Sequence, residues 1–475
     1  MRRLVARLDP ERLIPWVCAA SVFAWQAAIA LRFPPRDGDL LWQRWLGERV
    51  MHEHAIPRVL GHETFTAEGA RWTPQEWLFS TLLAWSGDHG AAWLVPLLCA
   101  LAAGVVLASI VIRSRRRGVS PLMASAGLFM FAFSSIQSFG PRAQVFGWAG
   151  LALVVTLLES EGPWVWAAIP ATALWANLHA SAFLAPAVAM LFAFAALLRD
   201  RRWSPAVRRF AALTAGCAAA TLATPFGTEL LRYTVELSLS PIRDSITEWG
   251  VTSLHSFAFT TGALPLLLVL AVFGVRTSLR DRVLAVAFCV LLFTAVRNIP
   301  VFTIAVAPIA LAALPRRGDA RAADADRRFG WVTVAAIVCC GVFITALTWR
   351  DGPGSREKLP LGSARALIAQ AHGTPRVLCE DFAWCSVFLD APVRVFMDGR
   401  CDPYPVAVWH DYRDVIDGNR AWAAVLDRDR VDAVLVRPGG SLESLLAERH
   451  EWRRIASDRV SGLYVRTALL ADERR

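Results

Sequence analysis

The sequence predicts a polytopic α-helical membrane protein with a soluble α/β domain at its C-terminal end. Three observations lead there. Of 475 residues, 55% are hydrophobic and the mean hydropathy is +0.41, more apolar than a water-exposed fold tolerates. About eleven apolar runs recur along the first 350 residues, several near the ~20 needed to cross ~30 Å of hydrocarbon. Beyond Gly352 the pattern changes to short strands alternating with amphipathic helices.

Twenty Trp beside four Tyr fit that class, because Trp gathers at membrane–water interfaces. The net charge of +10 invites a nucleic-acid reading, which needs basic residues collected on one folded face. Here the arginines fall in short gaps between apolar runs, so they are read as topology charge, with no nucleic-acid partner. Nine cysteines are scattered, mostly within apolar segments. They form no CxxC pair and no His/Cys cluster with metal spacing.

The first run, Leu13 to Leu31, follows basic residues as a signal peptide would. What comes after it is Arg32-Phe33-Pro34-Pro35-Arg36-Asp37, not a small-residue cleavage site, so it is read as the first membrane helix. Ten more spans are expected at 91–112, 121–136, 143–158, 164–179, 181–198, 210–224, 259–275, 283–297, 299–314 and 330–348. Alternate gaps are rich in arginine: Arg2, Arg3, Arg7 and Arg12; Arg113, Arg115, Arg116 and Arg117; Arg199, Arg201, Arg202, Arg208 and Arg209; Arg276, Arg280 and Arg282; Arg316, Arg317, Arg321, Arg327 and Arg328. The positive-inside rule puts these gaps and the N-terminus in the cytoplasm; the short acidic gap Glu159-Ser160-Glu161-Gly162-Pro163, on the same side, carries no positive charge. An odd number of spans leaves the tail outside. The expected organisation is a multi-pass membrane domain over 1–349 and an extracytoplasmic α/β domain over 350–475.

That orientation sends the least membrane-like residues to one side. They are Asp37 and Asp39 after the first span, Arg142 and Gln144 at the start of the fourth, and Asn177 and His179 at the end of the fifth. Glu248-Trp249 precede the eighth, and Arg297-Asn298 end the ninth. Each alone fits a snorkelling or capping residue. Together they suggest a polar cavity open to the outside, since ionisable groups at membrane depth are costly.

The first outer loop, residues 32–90, carries Leu40, Leu41, Trp42, Trp45, Leu46 and Val50 at helical spacing. A second helical piece runs from Pro74 to Trp85. Both are expected in the interface plane, with Trp72, Trp77 and Trp85 at headgroup level. Asp39 has two readings: a helix cap, or a carboxylate placed to take a proton from an incoming hydroxyl. The pattern leaves them even. In the tail, strands are expected at 376–379, 393–396 and 433–436, and helices at 361–372 and 441–449. Cys379, Cys385 and Cys401 can form one disulfide and leave one thiol free. Asp398-Gly399-Arg400 reads as a turn after a strand.

The stretch Asp37-Gly-Asp39-Leu-Leu-Trp42, with Ile56-Pro57, Thr64-Phe65-Thr66 and Gly69-Ala-Arg-Trp72-Thr-Pro-Gln-Glu76-Trp77-Leu78, resembles the first outer loop of GT-C-fold bacterial membrane glycosyltransferase-like proteins. Pro141-Arg142-Ala143-Gln144, Trp175-Ala-Asn177-Leu-His179, Thr224-Pro-Phe-Gly227, Glu248-Trp249 and Arg297-Asn298-Ile-Pro300 extend the resemblance. So does Val395-Phe-Met-Asp398-Gly-Arg400-Cys-Asp402-Pro-Tyr404 in the tail, so that it covers nearly the whole chain. It departs at Leu41-Trp42, where an aromatic pair is usual.

The resemblance implies transfer of a sugar from a polyprenyl-phosphate-linked donor to an extracytoplasmic acceptor. It puts the general base, or a metal-holding carboxylate, at Asp39, with Asp37 second. A divalent ion (Mg²⁺ or Mn²⁺) is compatible with it, but two carboxylates alone do not define such a site. Inverting transfer also needs cations on the departing phosphate, and the planar fork of Arg suits a phosphate. Arg142 and Arg297 are therefore the phosphate candidates. Gln144, Glu248, Glu76 and His179 complete the set, His179 being equally a capping or packed residue. The competing class is a non-enzymatic protein, a transporter or an envelope assembly factor with an outer partner-binding domain. Transporters place polar sites near mid-membrane and often show internal repeats. No repeat is visible here, and mid-span positions are mostly apolar.

Overall fold

The computed structural model describes residues 10–32, 38–136, 138–160, 162–246, 248–315, 323–351, 359–370 and 373–471. Each of the eleven apolar stretches is helical, with ends displaced by a few residues. Among the described residues, five helical segments are both long and apolar enough to cross a membrane: Arg12–Leu31, Leu94–Arg116, Ala180–Asp200, Phe259–Arg276 and Trp331–Arg350. Pro121–Ser135, Gln144–Leu158 and Asn298–Ala313 are apolar but shorter. The chain divides into two compact units.

The first unit comprises the described residues of Met1–Phe33, Ala92–Arg232 and Ile246–Gly354, and it is helical. Its innermost element is the helix Asn298–Ala313, in which every residue from Ile299 to Leu311 is buried. A helix apolar all round has no face to give to water or lipid and is enclosed by its neighbours. Pro308 lies inside it. Proline lacks an N–H, so the Ile304 carbonyl four residues earlier loses its helical donor.

The wholly buried Arg113 supplies one instead. Its Nη1 donates to the Ile304 oxygen at 2.5 Å and its Nη2 to the Ala305 oxygen at 2.8 Å. The same guanidinium donates through Nε to Glu159 at 3.1 Å. Arg117 reaches both Glu159 oxygens at 2.6 and 2.8 Å, and Asp281 at 2.9 Å. Two arginines read from sequence as topology charge thus belong to a buried ion network. Its hub, Glu159, lies in a gap that the charge pattern passes over.

The second unit comprises the described residues of Pro34–Ala91, Tyr233–Ser245 and Ser355–Arg475. Its sheet has five strands: β1 Arg376–Cys379, β2 Arg394–Val395, β3 Ala433–Val436, β4 Trp452–Ser457 and β5 Gly462–Arg466. They lie in the order β2-β1-β3-β5-β4. β1 runs parallel to β2 and β3, and β5 is antiparallel to β3 and β4. Three strands were expected; the β4–β5 hairpin was not, since Arg453 and Arg454 give β4 a charged, exposed face. Val377, Phe388, Val395, Leu435 and Val465 fill the core. Cys379 and Cys385 are disulfide-bonded, and Cys401 is free.

The early loop completes this fold. Val395 N donates to the Glu63 carbonyl at 2.8 Å, and Phe65 N to the Val395 carbonyl at 3.2 Å. Residues 63–65 therefore pair with the outer edge of β2, which would otherwise present unpaired backbone groups. The helices Gly38–Glu53 and Trp77–Asp88 pack on each other, and the first also packs on the short 3₁₀ helix Phe382–Phe388. Trp72 departs from its expected headgroup position: it is only 2% exposed and stacks on Trp45.

Candidate functional site

Both units carry clusters of polar residues. In the helical unit, Arg142 lies just before the helix Gln144–Leu158, and its Nη1 donates to Glu248 Oε1 at 3.1 Å. Arg297 immediately precedes the helix Asn298–Ala313, and its guanidinium lies 4.5 Å over the Trp249 ring. The backbone ties these together, since Arg297 N donates to the Glu248 carbonyl at 3.1 Å and Val296 N to that of Gly250 at 3.0 Å. Adjacent residues of one short segment thus hold both arginines, Glu248 by charge and Trp249 by its ring face.

His179 sits between the helices Ala168–Leu178 and Ala180–Phe183, 6% exposed. Its Nδ1 lies 3.2 Å from Ser181 N and 2.7 Å from Ser181 Oγ. It caps a helix, as sequence allowed. Gln144 is buried in the first turn of its helix.

In the second unit, Asp39 stands in the first turn of Gly38–Glu53 rather than before it. A carboxylate there gains from the helix dipole. Trp42 and Gln43, three and four residues on, share its face. The face lies against the turn at Asp398–Cys401: a Cβ on Gly399 would come within 2.9 Å of Trp42 and 3.3 Å of the Asp39 carboxylate. A Cβ on Gly38 would meet the Ala383 carbonyl. The tail thus seats the helix that presents Asp39, and only glycine permits the approach. Gln43 Nε2 donates to Glu76, which immediately precedes the second loop helix. Asp37 lies outside the described residues.

The turn is more than a turn. Arg400 is fully buried, bidentate to Asp398 through Nε at 2.9 Å and Nη2 at 2.5 Å, and bonded to Glu63 through Nη1 at 2.7 Å. Trp45 and Trp72 flank it at 5.1 and 5.0 Å, and Tyr404 donates to Asp398 at 2.8 Å. Cys401 follows in left-handed backbone (φ 59°), and burial, with Asp39 and Asp402 adding, pushes its thiol up. Burial also pushes the Asp402 carboxyl up to about 7. A hydrogen bond from Tyr233 opposes that rise and the charge of Glu76 adds to it. Gln43 Oε1 and Trp42 Nε1 are buried without hydrogen-bond partners. Among the described residues no three His, Cys, Asp or Glu side chains group as metal ligands.

No protein-family model matches the sequence, and no curated protein matches it. The fold does find matches among solved structures. One is the archaeal oligosaccharyltransferase AglB from Archaeoglobus fulgidus in complex with an inhibitory peptide and a dolichol-phosphate. Its TM-score is 0.57 at 12% identity, over 88% of this chain and 69% of that one. Another is ArnT from Cupriavidus metallidurans bound to undecaprenyl phosphate, with TM-score 0.55 at 12% identity, over 96% and 98% of the two chains. The chain has the GT-C fold. The Archaeoglobus enzyme has also been solved with Zn and sulfate.

Of the residues singled out from sequence, the fold places Arg142, Gln144, His179, Glu248 and Arg297 in one unit, and Asp39 and Glu76 in the other. Sequence missed Gln43, Tyr233 and Asp402. Gln43 carried a usable signal, since it stands one helical turn after Asp39.

Proposed function

We propose that the protein is a membrane glycosyltransferase that moves a sugar from a polyprenyl-phosphate-linked donor to an extracytoplasmic acceptor. The observation that carries this reading is the GT-C fold, shared over 96% of the chain with a protein solved with undecaprenyl phosphate bound. The Asp39 carboxylate takes the proton of the acceptor hydroxyl as its oxygen attacks the anomeric carbon. The bond from that carbon to the phosphate oxygen breaks, and polyprenyl phosphate leaves with the electron pair. Arg142 and Arg297 neutralise the charge that gathers on it. Gln43 and Asp402 supply acceptors, and the Trp42 indole a donor, for a hydroxyl-bearing ligand. Purified protein given polyprenyl-phosphate sugars should release the free lipid phosphate. No release with any donor would favour the non-enzymatic class.

The two arginines give a first test. Lysine keeps the charge but loses the two-pronged donor, and a charge-assisted hydrogen bond contributes about 1.5–3 kcal/mol. Arg142→Lys and Arg297→Lys should each lower transfer roughly ten- to a hundred-fold. Wild-type turnover in both would reduce these residues to interface anchors.

The reading includes eleven spans in the cytoplasmic membrane, the N-terminus in the cytoplasm, the tail outside, and membrane lipids as surroundings. A periplasmic reporter fused after Asp402 should be active and a cytoplasmic one silent; fusions after Arg116 should show the reverse. Opposite results at either position would overturn the side assignment.

A further inference from the structure

Resting on that reading, we propose that Glu248 sets the charge of the phosphate site, so that it accepts the donor and discharges the spent carrier. Glu248 makes one ionic contact to Arg142, at 3.1 Å, and both side chains are only partly buried, at 40% and 27% exposure. A single-pronged contact of this kind is exchangeable, unlike the enclosed grip of Asp398 on Arg400. The same short segment orients Arg297 through Trp249 and through the Glu248 carbonyl. Glu248 is thus built into the arginine pair and is not a remote counter-charge.

The chemistry of transfer makes this contact consequential. A sugar joined to a polyprenyl phosphate is a phosphodiester with one negative charge. When the sugar leaves, the carrier becomes a phosphomonoester, and with a second pKa near 6 it is close to a dianion above neutral pH. The Glu248 carboxylate, 3.1 Å from Arg142, repels a bound phosphate in proportion to its charge, so it disfavours the dianionic product about twice as strongly as the monoanionic donor. Without the carboxylate, two arginines would hold the dianion more tightly and slow its release. Glu248 is a positioning and selecting residue in this account; it touches the arginine and not the reacting atoms.

The test uses the full-length protein in lipid nanodiscs at pH 8 and two probes, undecaprenyl phosphate and its methyl ester. The first is a dianion and the second a monoanion. Glu248→Gln should tighten binding of undecaprenyl phosphate about ten-fold and of the methyl ester less than about three-fold, an unequal effect expected of a partly screened charge. Glu248→Asp, which keeps the charge, should leave both affinities within about three-fold of wild type. Adding Arg142→Gln to Glu248→Gln should abolish the gain. Equal tightening of both lipids, or no tightening, overturns the proposal. If wild type and every variant bind neither lipid, the phosphate assignment of Arg142 and Arg297 fails first and this inference falls with it.

Discussion

Asp39→Asn should fold and insert like wild type yet transfer sugar about 10²–10⁴-fold more slowly, the usual loss when a general base is removed. Asparagine keeps the shape of the side chain that lies beside Gly399 and can still hydrogen-bond, but it cannot take a proton. A purely structural role would give a far smaller effect. A carboxylate in the first turn of a helix contributes about 0.3–1 kcal/mol, and a lost cap costs ~1 kcal/mol. Release of undecaprenyl phosphate from a sugar donor is the readout, with thermal unfolding as the check on folding. Asp37→Asn should be affected less. Full activity in Asp39→Asn with loss in Asp37→Asn would move the base two residues. Full activity in both would send the search to Glu76 and Glu248.

The second large effect is on stability. Arg113→Ala strands Glu159 with fewer partners and leaves the Ile304 carbonyl without a donor. Breaking a buried ion pair by removing one member costs about 3–5 kcal/mol, and unfolding in mild detergent should show a loss of that order. Pro308→Ala supplies a sharper measure, because residue 308 then has an N–H of its own for Ile304. The double variant should lose less than Arg113→Ala alone, beyond the sum of the single effects, as contacting residues do. Strict additivity would mean that Arg113 does not stand in for the missing proline N–H.

What could be read in the sequence follows physical range. Apolar runs, arginine-rich gaps and polar residues at span ends are local signals, and they single out Arg142, Glu248, His179 and Arg297, which the fold places in one unit. Short strands such as Ala433–Val436, buried along their length, announced themselves by composition. Arg400 did not. Asp-Gly-Arg is an ordinary turn sequence, and the partners that bury it, Trp45, Glu63 and Trp72, lie more than 300 residues earlier. Arg113 was hidden in another way: it sits in a cluster whose average meaning is topology, while two of its acceptors, the Ile304 and Ala305 carbonyls, carry no side-chain signature. Pro308 was the visible half of that contact. A proline inside an apolar run announces an orphaned carbonyl, but nothing local says which residue answers it.

The strip of loop beside β2 also sets a timetable. Arg394 donates to the Thr64 carbonyl across 330 residues of chain. At roughly 5–20 residues per second during synthesis, residues 63–65 are made some 15 to 65 s before the strand they pair with. Through that interval the loop holding Asp39 has no seat, because the turn at Gly399 does not yet exist. The candidate base is made well before the surface that sets it in place. A chain released short of β2 would carry every loop residue of the site and still lack the surface that positions it.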